Sequence, residues 1–274
     1  MKTVAIIQAR TSSTRLPGKV LLPIYGKPAI EWTIDRISAC KEIDHFVVST
    51  TSHPNDNALA NLCDQLGVSC FRGDENDVLD RYYQTACFMS VQSGDKIVRI
   101  TGDCPFIDPD VCDAVVRLQR ETGADYASNV LSLSYPDGLD CEVFRFEALE
   151  KAWREAKMVY EREHVTQYMI RNPDMFTQKN LSAVENRSNM RWTLDQPEDY
   201  RFLSAIAEHF GRCDFTTQEI IVLLQQKPSL LKINSAIERN ESLKADLFNE
   251  SCSEVETTGV GPGYSSVEKI GGSA

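Results

Sequence analysis

A basic loop near the N-terminus has the residue types and spacing of an anion site. Its sequence is QARTSSTRLPGK, residues 8–19, and it follows the apolar run 3–7. Arg10 and Arg15 can grip phosphate oxygens bidentately, Lys19 adds a point charge, and Gly18 permits a tight backbone turn. The N–H groups of residues 11–14 are free to point at the same anion. We therefore predict a phosphate-binding loop, although its spacing is not that of a P-loop.

Two aspartates could supply a metal site beside this loop. Asp103 lies in TGDCP and Asp195 in WTLDQPEDY, and each comes at the C-terminal end of a predicted strand. Mg²⁺ in nucleotide enzymes takes one or two carboxylates together with phosphate oxygens. The alternative is that each Asp caps the helix that follows it. The nearby basic loop favours the Mg²⁺ interpretation.

The distribution of charge supports an anion site near the N-terminus. The net charge is −11, yet residues 1–30 contain no Asp or Glu. Their basic residues are Lys2, Arg10, Arg15, Lys19 and Lys27. Such clustering creates a local positive field, although chance clustering on a solvated surface is the alternative. The overall negative charge argues against nucleic-acid binding, which needs a broad basic face.

Composition predicts a cytoplasmic protein. No apolar run is long enough to span a membrane, and the N-terminus lacks the pattern of a signal peptide. The chain has nine cysteines without a Cys-x-x-Cys pair. We therefore expect free thiols in a reducing compartment rather than a zinc site or a disulfide framework.

The elements that must position these residues alternate between strands and helices. Strands are predicted at 4–9, 45–51, 69–72, 96–101, 125–129, 139–145 and 190–194. Helices are predicted at 28–40, 57–66, 78–91, 110–121, 147–157, 162–171, 197–210 and 217–226. This order predicts an α/β fold with a mostly parallel twisted sheet flanked by helices. The carboxyl ends of the strands are where such folds bind ligands.

The motifs and their order resemble those of the CMP-sugar synthetases. The resemblance is greatest to the CMP-KDO synthetase and spore-coat polysaccharide cytidylyltransferase branch, and it spans residues 1–225. The stretches that carry it are QARTSSTRLPGK, GKPAIEW (26–32), RGDENDVLDRYY (72–83), TGDCP (101–105), YPDGLDCEVF (135–144), EREHVT (161–166) and RWTLDQPEDY (191–200). The resemblance implies a GT-A-type nucleotidyltransferase fold, usually in a homodimer. We predict a cytidylyltransferase domain, 1–248, followed by a tail, 249–274, whose Gly, Ser, Thr and Glu content is typical of a flexible segment. The domain would comprise a nucleotide-binding half, 1–130, an acceptor and dimerisation region with the second metal ligand, 131–200, and a helical C-terminal part, 201–248.

The resemblance also implies roles for individual residues. Those expected to bind the nucleotide CTP are Gln8, Ala9, Arg10, Ser13, Arg15, Lys19, Arg72, Asp77, Gly102 and Asp103. Asp103 and Asp195 would hold Mg²⁺, and with Arg10 and Lys19 they form the expected catalytic set. The acceptor would meet Asp137, Asp140, Glu142 and His164, although His164 could instead make only a structural hydrogen bond.

The predicted activity is CTP-dependent cytidylyl transfer to a small anionic acceptor. The expected acceptor is a 2-keto-3-deoxy sugar acid, and pyrophosphate would leave. TGDCP lacks the second acid typical of the KDO branch, and DGLDCEVF is typical of the spore-coat branch. The identity of the acceptor therefore stays open at this point.

Three alternatives remain at this point. The acceptor could be a phosphate or phosphonate, with basic contacts drawn from Arg145, Arg162, Arg171 and Arg191. The chain could be a glycosyltransferase of the same fold, but such enzymes use Asp-x-Asp at the strand end, where this chain has Gly102-Asp103-Cys104. A non-catalytic binding module would be expected to have lost one of the four catalytic residues.

Overall fold

A central sheet of seven strands organises the described part of the chain, residues 1–239, in the computed structural model. In chain order the strands of the protein are β1 (Thr3–Gln8), β2 (Pro23–Ile24), β3 (Lys27–Pro28), β4 (His45–Thr51), β5 (Cys70–Gly73), β6 (Lys96–Thr101), β7 (Tyr126–Ser128), β8 (Glu142–Arg145) and β9 (Gln178–Asn180). The sheet order is β5-β4-β1-β6-β8-β7-β9, while β2 and β3 form a separate two-stranded hairpin. Only β8 runs against its neighbours. The predicted mostly parallel sheet is confirmed.

Helices cover both faces of the sheet. They are α1 (Ala29–Ser38), α2 (Asn57–Gln65), α3 (Val78–Phe88), α4 (Pro109–Thr122), α5 (Phe146–Glu155), α6 (Val159–Glu163), α7 (Gln167–Arg171), α8 (Pro197–Phe210) and α9 (Thr217–Gln226). Short 3-10 turns occur at Lys19–Leu21, Pro54–Asp56 and Leu230–Lys232.

Alternation along β1 separates two cores. Ala5 and Ile7 face the side covered by α1, α2 and α4, whereas Val4 and Ile6 face the side covered by α3, α5 and α7. All four side chains are fully buried, because a parallel strand covered on both faces must be apolar throughout. A third cluster packs α8 and α9 against α1 and β2.

Three predicted elements differ from the structure. The segment 190–194 is not a strand, because it forms only an isolated bridge between Arg191 and Asp137. The predicted helix 162–171 is two short helices, α6 and α7, separated by a turn in which Val165 has φ +53°. The predicted strand 139–145 begins only at Glu142, and both β9 and the β2–β3 hairpin were not predicted.

Part of the predicted domain division falls outside the residues that the structure describes. The predicted tail, 249–274, lies outside the described residues, as does 240–248 at the end of the predicted helical part. Within residues 1–239, no helix has the length and apolar character needed to cross a bilayer.

Candidate active site

The predicted loop begins where β1 meets the end of β6. The N–H of Gly102 donates to the carbonyl oxygen of Gln8 at 2.7 Å. A Cβ atom at Gly102 would lie 2.8 Å from the Cβ of Ala9 and 2.9 Å from the Cδ1 of Ile30. A glycine is therefore required for the two strand ends to approach this closely. The side-chain oxygen of Gln8 is buried at this edge without a hydrogen-bond partner.

A buried carboxylate that the sequence did not single out holds the start of the loop. Asp56 is 1% exposed, and its Oδ1 accepts from the N–H and the hydroxyl of Thr11 at 2.7 and 2.6 Å. Its Oδ2 accepts from the N–H and hydroxyl of Thr51, at the end of β4. The N–H of Ser13 donates to the Thr11 carbonyl at 2.9 Å. The prediction that the N–H groups of 11–14 are free for an anion is thus wrong for Thr11 and Ser13.

The backbone that carries Lys19 is fixed on both sides. Gly18 has φ +68° and begins the 3-10 turn Lys19–Leu21, so the predicted glycine turn is confirmed. The next residue, Val20, is 2% exposed and packs in the core under α1. The Lys19 side chain therefore extends from a fixed backbone position at the carboxyl ends of the strands.

Lys19 brings the two predicted metal ligands together. Its Nζ lies 2.7 Å from Oδ2 of Asp103 and 2.9 Å from Oδ1 of Asp195. Arg15 forms an ion pair with the other oxygen of Asp195. Residues far apart in the sequence thus converge on one cation.

Charge pairing shifts the pKa values of this group. Burial alone would raise the pKa of Asp103, but the Lys19 ammonium outweighs it and lowers the pKa to about 2. Burial alone would lower the pKa of Lys19, but the two carboxylates raise it above its usual value. Lys19 and Asp103 are therefore both charged at neutral pH.

The segment that carries Asp195 is held by another buried carboxylate. Asp199, fully buried in α8, accepts from Nε and Nη2 of Arg191 at 2.9 Å each. The same carboxylate accepts from the N–H groups of Asp195 and Gln196 at 3.1 and 2.9 Å. Asp199 thereby fixes both the start and the end of the extended segment.

Neither predicted metal ligand caps a helix. The N-cap of α4 is Asp108, whose Oδ1 accepts from the N–H of Asp110 at 2.9 Å, and the N-cap of α8 is Gln196. The capping alternative for Asp103 and Asp195 is therefore wrong.

Arg72 in β5 and Asp77 at the N-cap of α3 flank the turn that faces the start of the loop. The loop and the turn meet where Ser12 donates to Glu75 at 2.6 Å, and Arg10 lies 3.6 Å from the same carboxylate. The Arg72 guanidinium donates to the carbonyls of Thr51 and His53 and to Asn57. Asp77 accepts from the N–H of Asp80 at the start of α3 and pairs bidentately with Arg162. Arg72 thus holds the segment that follows β4, and Asp77 holds the end of the turn at the start of α3.

The carboxylates predicted for the acceptor belong to a buried chain of ion pairs. Glu142 pairs with Arg99 and accepts from the hydroxyl of Tyr126 at 2.7 Å. Asp140 pairs with Arg239. Asp137 lies 3.7 Å from Arg239 and 3.0 Å from Arg191. The structure brings these three acids into one region.

His164 and the predicted arginines are placed differently. His164 follows the last residue of α6, which packs against α3. Arg162 pairs with Asp77, Arg191 pairs with Asp199, and Arg145 lies 3.7 Å from Glu147. The Arg171 guanidinium lies 5.0 Å from the centre of the Tyr160 ring. These arginines are thus engaged by the protein's own groups.

The chemistry of the acid pair fits Mg²⁺. Two hard oxygen donors already face one cation, and within residues 1–239 no group of three or more acidic, His or Cys side chains is placed to hold a metal ion. One or two carboxylates completed by phosphate oxygens is the set that Mg²⁺ takes in nucleotide sites, whereas zinc prefers a closed set of N or S ligands.

The fold is shared with solved structures that include a cytidylyltransferase. A cytidylyltransferase from Leptospira borgpetersenii is 33% identical, with a TM-score of 0.79 over 84% of this chain and 97% of that chain. A CMP:2-keto-3-deoxy-manno-octonic acid synthetase complexed with CTP is 19% identical, with a TM-score of 0.59 over 76% of this chain and 99% of that chain. At that identity the second structure shows the fold alone.

The sequence comparisons then give the family. The family profile described as Cytidylyltransferase matches residues 4–235, and the chain belongs to this family. An uncharacterized protein, MJ1063, of Methanocaldococcus jannaschii is 41% identical over 86% of this chain and 96% of its own length. The spore coat polysaccharide biosynthesis protein SpsF of Bacillus subtilis is 33% identical over 81% of this chain and 94% of its own length. The chain is thus a nucleotidyltransferase, as its motifs predicted, and the glycosyltransferase alternative is set aside.

Proposed function

We propose that the protein transfers the cytidylyl group of CTP to the anomeric hydroxyl of a 2-keto-3-deoxy sugar acid. The product is a CMP-sugar for surface polysaccharide or glycoconjugate synthesis. The observation that carries this proposal is the convergence of Asp103 and Asp195 on Lys19, beside a loop that also bears Arg10 and Arg15. Family membership supports the nucleotide. The likeness to a curated relative named 3-deoxy-manno-octulosonate cytidylyltransferase, 36% identical over 51% of this chain, and to the spore-coat protein supports the acceptor class.

The chain's own residues supply positioning and charge. Lys19 and Arg15 neutralise phosphate charge when the CTP phosphates bind beside them. Asp103 and Asp195 would hold Mg²⁺, which when bound offsets the phosphate charge and acidifies the acceptor hydroxyl. Asp56, through Thr11, keeps the loop ordered before the nucleotide arrives, so less ordering entropy is lost on binding.

The reaction is a single displacement. The acceptor oxygen bonds to the α-phosphorus, the bond from that phosphorus to the bridging oxygen breaks, and pyrophosphate leaves with the electron pair while the hydroxyl proton passes to solvent. No covalent enzyme intermediate is required, so catalysis rests on positioning and electrostatics.

The test is pyrophosphate release with Mg²⁺, CTP and a panel of acceptors. The panel contains KDO, nonulosonates and aminoethylphosphonate, with UTP as the control nucleotide. Release with a sugar acid supports the proposal and names the acceptor. Release with the phosphonate alone would contradict the sugar-acid acceptor and would instead indicate a phosphonate acceptor and a CDP-type product.

The homodimer is a separate proposal that rests on the family. Light scattering on a sizing column tests it, and a monomeric mass at assay concentration would contradict it.

A further inference from the structure

The acid pair at the candidate active site carries its own counter-ions. Asp103 and Asp195 contribute two negative charges, and Lys19 and Arg15 contribute two positive charges in direct contact with them. Arg191, which is held mainly by Asp199, lies farther from Asp195, at 3.9 Å. The Lys19 side chain is 12% exposed, and that of Asp195 is 14% exposed. In so sheltered a place, ion pairs are screened less by salt than surface pairs are.

The ammonium of Lys19 can move although its backbone cannot. Gly18 and the buried Val20 fix the main chain on either side. The lysine side chain itself is a flexible four-carbon stem that ends in a compact charge. The Nζ atom can therefore leave the acid pair without any change in the fold.

Binding of a divalent cation to the acid pair is unfavourable when no nucleotide is present. The cation must displace the Lys19 ammonium from both carboxylates, and the ammonium then loses both of its anions while it stays near Arg15, which shares Asp195 with it. A triphosphate removes this penalty, because its oxygens can receive both Lys19 and Arg15 while the carboxylates turn to the metal.

We propose that Lys19 is the resident counter-ion of the acid pair and keeps divalent metal out until a nucleoside triphosphate draws its ammonium away. Metal and nucleotide then bind as a coupled pair, and by linkage each raises the affinity for the other by the same factor. The inference rests on the proposed function for the identity of the nucleotide, but not on the acceptor.

The test is a Mn²⁺ titration of the full-length protein without nucleotide, followed by the electron paramagnetic resonance signal of free Mn²⁺. We expect wild type to bind the ion weakly. Lys19→Met leaves Asp103 without its cation and Asp195 with only Arg15 and Arg191 nearby, so we expect its Mn²⁺ dissociation constant to fall at least about tenfold. Lys19→Arg retains the charge and should bind Mn²⁺ as weakly as wild type.

Two controls show where the gained ion binds. The double variant Lys19→Met with Asp195→Asn should lose the gain. Lys27→Met removes a lysine that also bridges two carboxylates, 2.5 Å from Asp35 and 3.5 Å from Glu31, at the start of α1. It should leave Mn²⁺ binding unchanged, and an equal gain there would overturn the inference by making the effect nonspecific.

Addition of CTP completes the experiment, with the Mn²⁺–CTP mixture without protein as a blank. Wild type should gain Mn²⁺ affinity when CTP is present, and Lys19→Met should gain much less. Tight Mn²⁺ binding by wild type without CTP, or no change in the folded Lys19→Met variant, would overturn the inference. Circular dichroism shows whether Lys19→Met is folded. If it is not, the same titration is made with Lys19→Gln. If the Mn²⁺ titrations give the expected results but no acceptor leads to pyrophosphate release, the proposed function is contradicted and the inference about Lys19 is not.

Discussion

The N–H of Leu194 donates a 2.7 Å hydrogen bond to the carbonyl oxygen of Asp103. The hydroxyl of Thr193 donates to the same oxygen at 3.1 Å. These bonds tie an extended segment that belongs to no sheet to Asp103, the second residue after β6, and they place Asp195 opposite Asp103. The acid pair therefore depends on a main-chain contact between segments about ninety residues apart in the chain.

Gly138 tests that dependence, because it packs against the main chain of the same segment. Its φ is +103°, and a Cβ atom there would lie 2.6 to 2.7 Å from backbone atoms of Trp192 and Thr193. We expect Gly138→Ala to push the segment away from Asp103, to lower the free energy of unfolding by about 3 kcal/mol, and to lower pyrophosphate release at least about tenfold.

The matched control is Gly123→Ala at the end of α4. Gly123 also has a positive φ, +65°, but a Cβ atom there would meet nothing within 4 Å. We expect a loss of about 1 kcal/mol in urea unfolding and unchanged turnover. Equal losses of activity in the two variants would show that the contact with the 191–195 segment has no special role.

Asp103→Asn tests the acid pair itself. The substitution keeps the shape of the side chain but removes a charge that Lys19 contacts at 2.7 Å and that Mg²⁺ would need. We expect turnover with CTP and the identified acceptor to fall at least about a thousandfold, with an unchanged circular dichroism spectrum. Asp110→Asn, an exposed acid in the first turn of α4, is the control. Near wild-type turnover of Asp103→Asn would contradict the assignment.

Local patterns predicted much of the fold because they depend on neighbours in sequence. The predicted bounds of β4, β6, α8 and α9 agree with the structure. The sequence Thr216-Thr-Gln-Glu219 is also typical of a capping box, and in the structure Thr216 Oγ1 accepts from the Glu219 N–H at 3.2 Å. The basic loop and the two aspartates were likewise recognisable from residue type and from position at strand ends.

Long-range contacts explain what the sequence could not predict. The pattern around Trp192 resembles a strand, yet its N–H donates to the carbonyl of Asp137 in a loop. Asp56 follows a Pro-Asn pair and is typical of a turn, and nothing local indicates that Thr11, 45 residues away, would donate to it. Asp199 was within a quoted motif, but its bidentate contact with Arg191 became evident only in three dimensions.

Asp56→Asn tests whether the loop must be ordered in advance. The amide nitrogen of Asn would face donors from Thr11 or Thr51, because all four groups around this carboxylate are donors. We expect a loss of about 2 kcal/mol in the free energy of unfolding and a roughly tenfold weaker CTP affinity by calorimetry. Asp113→Asn is the control. Asp113 accepts from the N–H groups of Lys41 and Glu42, which precede the amino end of β4, whereas the candidate site lies at the carboxyl ends of the strands. It should lose stability without losing CTP affinity.

The pH dependence of stability provides a second measurement on Asp56. Burial would raise its pKa, but the hydrogen bonds from Thr11 and Thr51 outweigh burial and lower the pKa below the ordinary value of 3.8. The stabilisation is therefore present above pH 3.8 and is lost as the pH falls through the lower folded pKa. The difference in unfolding free energy between wild type and Asp56→Asn should narrow on acidification below pH 4. A constant difference would mean that the charge of Asp56 does not contribute.

Glu142→Gln separates a structural role from the acceptor contact that the motifs implied. Glu142 is 4% exposed and engages both Arg99 and the hydroxyl of Tyr126. Removal of its charge leaves the Arg99 guanidinium sheltered without a counter-ion, so we expect a loss of about 3 kcal/mol in urea unfolding. Glu150→Gln breaks an exposed pair with Arg154 one helical turn away and should cost less than about 1 kcal/mol. If Glu142→Gln instead kept its stability and raised only the acceptor KM, Glu142 would contact the acceptor, and the buried pair would not be its main role.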